Sequence, residues 1–271
     1  MRARLLIGLV VLAGLAAAFV MPMGTSAQRV ANGPYDPPGT FSILGFDPET
    51  GEVGAAVQSR VFSVGNGVLW AEAGVGAVAT QATIDVSYGP QGLALLKQDM
   101  APADIIRKIL ADDPDKGLNG RPWPKTGRQF AVMNAKGEFA AHTGSTASDW
   151  AGHKAGKFCT AQGNILAGPE VVAKMVEGFE TSEFAADGRR NHLSLRLVAA
   201  LEGGQAAGGD KRGQQSAALI IVKKDAGVWL HNDVVLRLQV DDHAEPIKEL
   251  RRLVEMSPPG RTGRGRGRGG S

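Results

Sequence analysis

Strand-like runs and helical patterns alternate in pairs along this sequence, and this alternation limits the fold more than any other feature. Residues 40–46 and 52–59 form two apolar runs around a turn that contains Pro48 and Gly51, as in a β-hairpin. Further strand-like runs occur at 68–83, 128–133, 138–143, 215–223 and 228–240. Helical apolar spacing is found at 89–98, 101–111, 169–179, 192–202 and 245–254. Because hairpins build antiparallel sheets and blocks of helices cover sheet faces, the pattern predicts a two-sheet core flanked by helices, without excluding other α+β folds.

The two ends of the chain differ in composition from the stretch between them. Arg2 and Arg4 precede a mostly apolar run at 5–20, and residues 1–27 have the pattern of a signal peptide. We therefore expect export to the periplasm or beyond, with an uncleaved membrane anchor as the alternative. No other segment reaches a transmembrane length, so no stable membrane span is expected after signal cleavage.

Three further regions follow the predicted signal. Residues 28–39 are polar and rich in Pro and Gly, and they are interpreted as a spacer or propeptide. Residues 40–255 contain no internal linker and are interpreted as one folded domain. Residues 256–271 are rich in Arg and Gly, and this composition predicts a disordered tail.

The positive charge of the chain lies mainly at its ends. The formal net charge is +3, but Arg261, Arg264, Arg266 and Arg268 all belong to the tail. When these four residues and the two arginines of the signal are discounted, the remaining domain is slightly acidic. A specific nucleic-acid partner is therefore not predicted.

Several common chemistries find little support in the sequence. Residues 74–79 match the dinucleotide fingerprint G-x-G-x-x-A, but a β-prone stretch follows where a helix is required. Ser63 lacks the first glycine of a nucleophile elbow. The histidines show no metal-ligand spacing, so neither a metal nor another cofactor is predicted. The lone cysteine, Cys159, cannot form an internal disulfide and is interpreted as a core residue, with a Cys159/His153 hydrolase as the alternative.

Several stretches in order identify a family resemblance that covers the chain from Thr40 to about Val254. They are TFSI at 40–43, WAEAGVGAVATQ at 70–81, YGPQGL at 88–93, WAGH at 150–153, QGNILAG at 162–168, and AGGD at 207–210 with RG at 212–213 and QSA at 215–217. The chain resembles the bacterial family called domain of unknown function 1028, which is grouped with the N-terminal-nucleophile (Ntn) hydrolases. The resemblance implies a four-layer αββα sandwich and hydrolysis of amide-type bonds. We expect a small-molecule amide as the substrate, although the resemblance does not itself identify one. It leaves the oligomeric state open, and a homo-oligomer is one alternative.

The resemblance makes Thr40 the candidate nucleophile. An Ntn enzyme attacks with the hydroxyl of its first residue and uses the α-amine of that residue as the base. A free α-amine has a pKa of about 7.7–8.0, whereas a peptide nitrogen has no such basicity. In many relatives the Thr follows the initiator Met, but here 39 residues precede it, and cleavage after Ala27 would still leave twelve. The hypothesis therefore requires cleavage between Gly39 and Thr40.

Other polar residues near the matched stretches are candidates for supporting roles. Thr80 or Asn164 is expected to supply an oxyanion donor. Ser59, Arg60 and Gln81 are expected to orient the amine or the substrate, and Glu72 is a candidate charge partner. Asp210 and Arg212 are expected to line the pocket or to pair with each other, and Gln215 is a further candidate for substrate binding. The alternative function is a catalytically silent exported binding protein in which Thr40 stays embedded in the chain.

Overall fold

The protein is described here from a computed structural model, which covers residues 39–257. The predicted signal peptide, the spacer before Gly39 and the tail after Ser257 lie outside the described residues. The strands are β1 (Thr40–Asp47), β2 (Glu52–Ser59), β3 (Leu69–Glu72), β4 (Gly76–Ala82), β5 (Arg128–Asn134), β6 (Phe139–Thr143), β7 (Gly152–Gly156), β8 (Cys159–Asn164), β9 (Ser216–Val222) and β10 (Val234–Val240). The helices are α1 (Gly65–Val68), α2 (Tyr88–Leu96), α3 (Pro102–Asp112), α4 (Glu170–Thr181), α5 (Leu193–Ala206) and α6 (Pro246–Met256).

The strands form two sheets in which every pairing is antiparallel. The six-stranded sheet has the order β10-β9-β2-β1-β8-β7, and the four-stranded sheet has the order β3-β4-β5-β6. The predicted α+β class with two antiparallel sheets is therefore confirmed. Strand β1 lies in the interior of the larger sheet, so its first residue has a neighbouring strand on each side.

Side-chain alternation along β1 shows how the layers are stacked. Phe41 and Ile43 belong to an apolar cluster shared with α4, α5 and α6. Leu44 and Phe46 point to the opposite face and belong to a second cluster, which includes residues of the four-stranded sheet. A third cluster joins the outer face of the four-stranded sheet to α2 and α3. Helices thus cover the outer face of each sheet, and the inner faces of the two sheets pack against each other. This arrangement is consistent with the predicted sandwich.

Several elements differ from those predicted by the sequence pattern. The run at 68–83 is a β3–β4 hairpin rather than one strand, because Gly74, at φ +75°, reverses the chain. Strands β7 and β8 were not predicted: β7 has the polar sequence GHKAG, and β8 carries polar residues at its inward positions, the ones that face the other sheet. Strand β10 begins at Val234 rather than at residue 228, because an exposed loop occupies the preceding residues.

Candidate functional site

The layer between the two sheets changes from apolar to polar at the end where β1 begins. Strand alternation places seven polar side chains there, each at most 1% exposed: Thr40, Ser42, Ser59, Gln81, Gln129, Gln162 and Asn164. Along β1, for example, Thr40 and Ser42 continue the face that carries Leu44. Buried polar groups are costly unless they are hydrogen-bonded, so a polar cluster in this position needs either an internal network or a ligand.

The antiparallel register brings three of the predicted site residues together. Thr40 is paired with Ser59 on β2 and with Asn164 on β8. Directly paired residues have Cβ atoms about 4.5–5.5 Å apart, so their side chains share one small space. The Thr40 hydroxyl donates a hydrogen bond to Ser59 Oγ over 3.1 Å. The candidate nucleophile thus lies at the start of a central strand, between polar residues on the two neighbouring strands.

The carbonyl oxygen of Gly39, immediately before Thr40, accepts two hydrogen bonds. One comes from the Ser59 hydroxyl, and the other comes from Arg212 Nη2 at 2.8 Å. Ser59 therefore uses its single proton on Gly39 while it accepts the proton of Thr40. These donors polarise the carbonyl of the very bond whose cleavage would free the Thr40 amine.

Arg212 is held in position by Asp210. Arg212 Nε lies 3.1 Å from Asp210 Oδ1 and Arg212 Nη2 lies 2.8 Å from Asp210 Oδ2, a two-point contact that fixes the plane of the guanidinium. The Arg212 backbone N–H also donates to Asp210 Oδ1 at 2.8 Å. The Asp210 side chain is fully buried. Since a buried carboxylate is stable only when paired, this ion pair is a rigid part of the site.

The loop that carries this ion pair needs glycine. Gly208 and Gly213 have φ angles of +107° and +106°, values that residues with a Cβ rarely adopt. Arg60 Nη1 donates to the carbonyl oxygen of Arg212, and so Arg60 supports the loop from outside. Arg60 is thus connected to the site through the backbone of Arg212.

A network of amide side chains lies on the other side of Thr40. Gln81 Nε2 donates to the Thr40 carbonyl oxygen at 3.2 Å and to Gln129 Oε1 at 2.8 Å. Ser42 Oγ donates to Gln81 Oε1, and Gln162 Nε2 donates to Ser42 Oγ. This network fixes the backbone of Thr40 and links the two sheets across the polar end of their interface.

Sequence reasoning assigned no site role to Ser42, Gln129 or Gln162. Gln162 lies on β8, whose inward positions are all polar, but Ser42 and Gln129 lie at inward-facing positions of strands that are otherwise largely apolar. A polar residue at such a position is the signal that could have identified them. Gln162 Oε1 is buried and has no hydrogen-bond partner within the described part of the chain, so the network retains one open acceptor.

The structure does not bring the side chains of Thr80, Glu72 and Gln215 into this cluster. Thr80 lies on the outer face of β4, one position from Gln81, and donates to the Gly67 carbonyl oxygen at 2.9 Å. Glu72 forms a solvent-exposed ion pair with Lys97 at 2.7 Å. Gln215 donates its backbone N–H to the Ser59 carbonyl oxygen, but its side chain donates to Asp242 at the surface.

Cys159 faces away from the site and belongs to the apolar cluster beneath the helices. Burial raises the pKa of its thiol to about 12. At neutral pH its reactive thiolate is therefore on the order of a thousandfold rarer than that of an ordinary thiol. His153 lies on β7 and its Nδ1 is 2.9 Å from Thr143 Oγ1. The structure thus gives no Cys–His pair for nucleophilic catalysis.

Cys159 should accordingly be inert in the folded protein. We expect an aromatic disulfide reagent at pH 8 to label it at least about 100-fold more slowly in buffer than in denaturant, because the thiol is both buried and protonated. The chain has one cysteine, so the absorbance change reports this thiol alone. Rapid labelling of the native protein would reopen the cysteine-hydrolase alternative.

Neither a metal site nor a membrane-spanning helix is found between residues 39 and 257. No group of three or more His, Cys, Asp and Glu side chains in that range is arranged to hold a metal ion. No helix in the same range is long and apolar enough to cross a bilayer. The chemistry available at the polar cluster is that of hydroxyls, amides and one carboxylate–guanidinium pair.

Comparisons with known proteins agree with the matched stretches of sequence. No curated protein matches the chain. Among solved structures, the chain is similar to the crystal structure of protein SPO2555 from Silicibacter pomeroyi, which is assigned to the family DUF1028. The two chains are 28% identical with a TM-score of 0.68, and the match covers 83% of this chain and 94% of the other. The family model of DUF1028, described as a family of unknown function, matches residues 40–250, and the chain therefore belongs to this family.

Proposed function

We propose that this protein is an exported Ntn-type amidohydrolase in which Thr40 becomes the first residue and acts as the nucleophile. One observation carries the proposal: the Gly39 carbonyl oxygen accepts hydrogen bonds from Ser59 and Arg212 while the Thr40 hydroxyl contacts the same Ser59. The bond that must break, the attacking hydroxyl and two donors for the developing negative charge thus lie together. The four-layer arrangement around them is the one expected of this enzyme class.

Cleavage of the Gly39–Thr40 bond is the first step of the proposed chemistry. Thr40 Oγ1 attacks the Gly39 carbonyl carbon, the bond from that carbon to the Thr40 nitrogen breaks, and the hydroxyl proton passes to the nitrogen. Water then hydrolyses the resulting ester to a Gly39 carboxylate and a free Thr40 hydroxyl. Arg212 and Ser59 stabilise the oxyanion, a contribution of about 3 kcal/mol for one well-placed donor. The product is a Thr40 with a free α-amine.

The same residues then act on an external amide. The α-amine, with a pKa of about 7.7–8.0 in an unperturbed terminus, accepts the proton of its own hydroxyl at neutral pH. Oγ1 bonds to the acyl carbon of the substrate, the C–N bond breaks, and the amine leaves with the proton. Water releases the acid. Gln81 holds the Thr40 carbonyl in place, and Asn164, paired with Thr40 across the strands, is the proposed further oxyanion donor.

A binding protein without catalysis is the second candidate. It is favoured by the complete burial of Thr40 in the intact chain, where its hydroxyl and its carbonyl oxygen are both hydrogen-bonded. In that case Gly39 and Thr40 stay connected, and the polar cluster serves only to recognise a ligand.

Intact mass measurement and N-terminal sequencing distinguish the two candidates. After expression of the complete sequence with export, we expect a species that begins at Thr40, because cleavage is required for a free amine. A protein that begins at Gln28, with no species that begins at Thr40, would contradict the enzyme proposal and favour the binding protein. Recovery of the protein in the exported fraction tests the signal peptide independently.

A further inference from the structure

The geometry around Gly39 also indicates which amides the site can accept. This inference rests on the proposed function, because it takes Gly39 of the uncleaved chain to occupy the position of a substrate acyl group bound to the enzyme. When Thr40 Oγ1 attacks Gly39, the intermediate is an ester between a glycyl carbonyl and the Thr40 hydroxyl. An external substrate forms an ester of the same connectivity. Gly39 therefore marks where the α-carbon of a substrate acyl group must lie.

The Asp210–Arg212 ion pair closes the space beside this α-carbon. A methyl group in the L-configuration on Gly39 would lie 2.8 Å from Arg212 Nη2, 2.9 Å from Arg212 Nε and 2.9 Å from Asp210 Oδ2. Real Cβ atoms essentially never approach another non-bonded heavy atom within 3.0 Å, so all three distances are too short for a relaxed contact. A substituent on that side would have to displace the guanidinium.

The guanidinium does not move away without cost. Its Nε and Nη2 atoms both bond to Asp210, whose side chain is fully buried and has no solvent to replace them. The backbone at Asp210 is itself paired with Leu166. After cleavage removes the residues before Thr40, Arg212 Nη2 loses its bond to the Gly39 oxygen but keeps its bond to Asp210. The guanidinium therefore stays in place as a wall beside the α-carbon. The donor that Gly39 has left is then free for the substrate carbonyl.

We propose that the mature enzyme selects amides whose acyl α-carbon is an unsubstituted CH₂, with glycyl amides as the simplest case, and rejects acyl groups with an L-side chain. Hydrolysis of a glycyl amide forms the bond from Thr40 Oγ1 to the glycyl carbon and releases the amine with the transferred proton. Water then frees glycine and restores the hydroxyl. Arg212 determines specificity because it is both the wall beside the α-carbon and the donor to the carbonyl.

Paired chromogenic substrates with one leaving group test this selectivity. With protein shown by sequencing to begin at Thr40, we expect kcat/KM for glycyl p-nitroanilide to exceed that for L-alanyl p-nitroanilide by at least about tenfold. A hydrophobic pocket would favour the larger acyl group by a similar factor. Arg212→Ala should slow both reactions but move the ratio toward one, whereas a merely structural role for Arg212 would leave the ratio unchanged.

Cleavage of the precursor gives a second readout that needs no external substrate. We expect Gly39→Ala to slow appearance of the Thr40 terminus at least about tenfold, and to add little further slowing when Arg212 is already Ala. The proposed selectivity would be overturned if Gly39→Ala were cleaved at the wild-type rate. It would also be overturned if protein that begins at Thr40 left a glycyl amide intact. Failure of the unaltered chain to produce a Thr40 terminus would instead overturn the proposed function itself.

Discussion

Thr40→Ala is expected to leave the Gly39–Thr40 bond uncut and to lower amide hydrolysis by at least about 10³-fold, as is usual when a nucleophile is removed. The variant lacks the hydroxyl that attacks in both steps, while the residues that surround it are unchanged. Among residues 39–257 the hydroxyl makes one side-chain hydrogen bond, to Ser59, so its loss should not prevent folding. Intact mass reports the cleavage, and release of p-nitroaniline reports the turnover.

Thr40→Ser is the matched control because it keeps the hydroxyl and removes only the methyl group. It should be cleaved and should retain activity, with rates between those of the wild type and Thr40→Ala. Thermal unfolding of all three proteins checks that the fold is comparable. Equal residual activity in Thr40→Ser and Thr40→Ala would exclude Thr40 as the nucleophile.

Loss of Arg212 should have the next largest effect. Arg212→Met removes the donor that lies 2.8 Å from the Gly39 carbonyl oxygen, and the loss of one such donor typically slows reaction by about 10²–10³-fold. The same substitution leaves the buried Asp210 carboxylate unpaired, which would destabilise the fold. The double variant Asp210→Asn/Arg212→Met removes that charge, so slow cleavage in a stable double variant would be attributable to the lost donor.

Arg189 provides the matched control for Arg212. It contacts Asp187 through Nε and Nη2 at the same two-residue spacing, but both side chains are about half exposed. Exposed ion pairs contribute little to stability, and Arg189 is placed at no carbonyl of the site. Arg189→Met should therefore be cleaved at the wild-type rate. If Arg212→Met were also cleaved at the wild-type rate, the guanidinium would have no part in the reaction.

Local sequence pattern was sufficient for the first hairpin and insufficient for β7 and β8. Strands β1 and β2 combine apolar runs with a turn at Pro48 and Gly51, so their bounds follow from short-range chemistry. In β8 the inward positions carry Thr160, Gln162 and Asn164, and this polar alternation resembles that of a loop. The polar residues of β8 find partners that local pattern cannot show. Gln162 donates to Ser42 on the neighbouring strand β1, and Gln129 of the facing sheet donates to the Gly163 carbonyl oxygen. Both partners lie far away in the chain.

The same distinction applies to the candidate site. Thr40, Ser59, Gln81 and Asn164 were proposed from the sequence, and they lie in one cluster. Thr80 was proposed as an oxyanion donor and its neighbour Gln81 as an orienting residue, yet a shift of one position along a strand moves a side chain to the other face. The inward polar position of Gln129 could mark it as a candidate, but its bond to Gln81 could not be predicted locally, because that bond depends on the pairing of β4 with β5.

The interior position of β1 has a consequence for the lifetime of a mature enzyme. Most chain termini project into solvent, where aminopeptidases can draw several residues into an extended conformation and trim them. A terminus created at Thr40 would instead begin inside a sheet, with β2 on one side and β8 on the other. Exposing it to an exopeptidase would require separating a central strand, an opening that costs close to the whole stability of the domain. The residue on which the proposed catalysis depends would therefore be protected from trimming by the sheet itself.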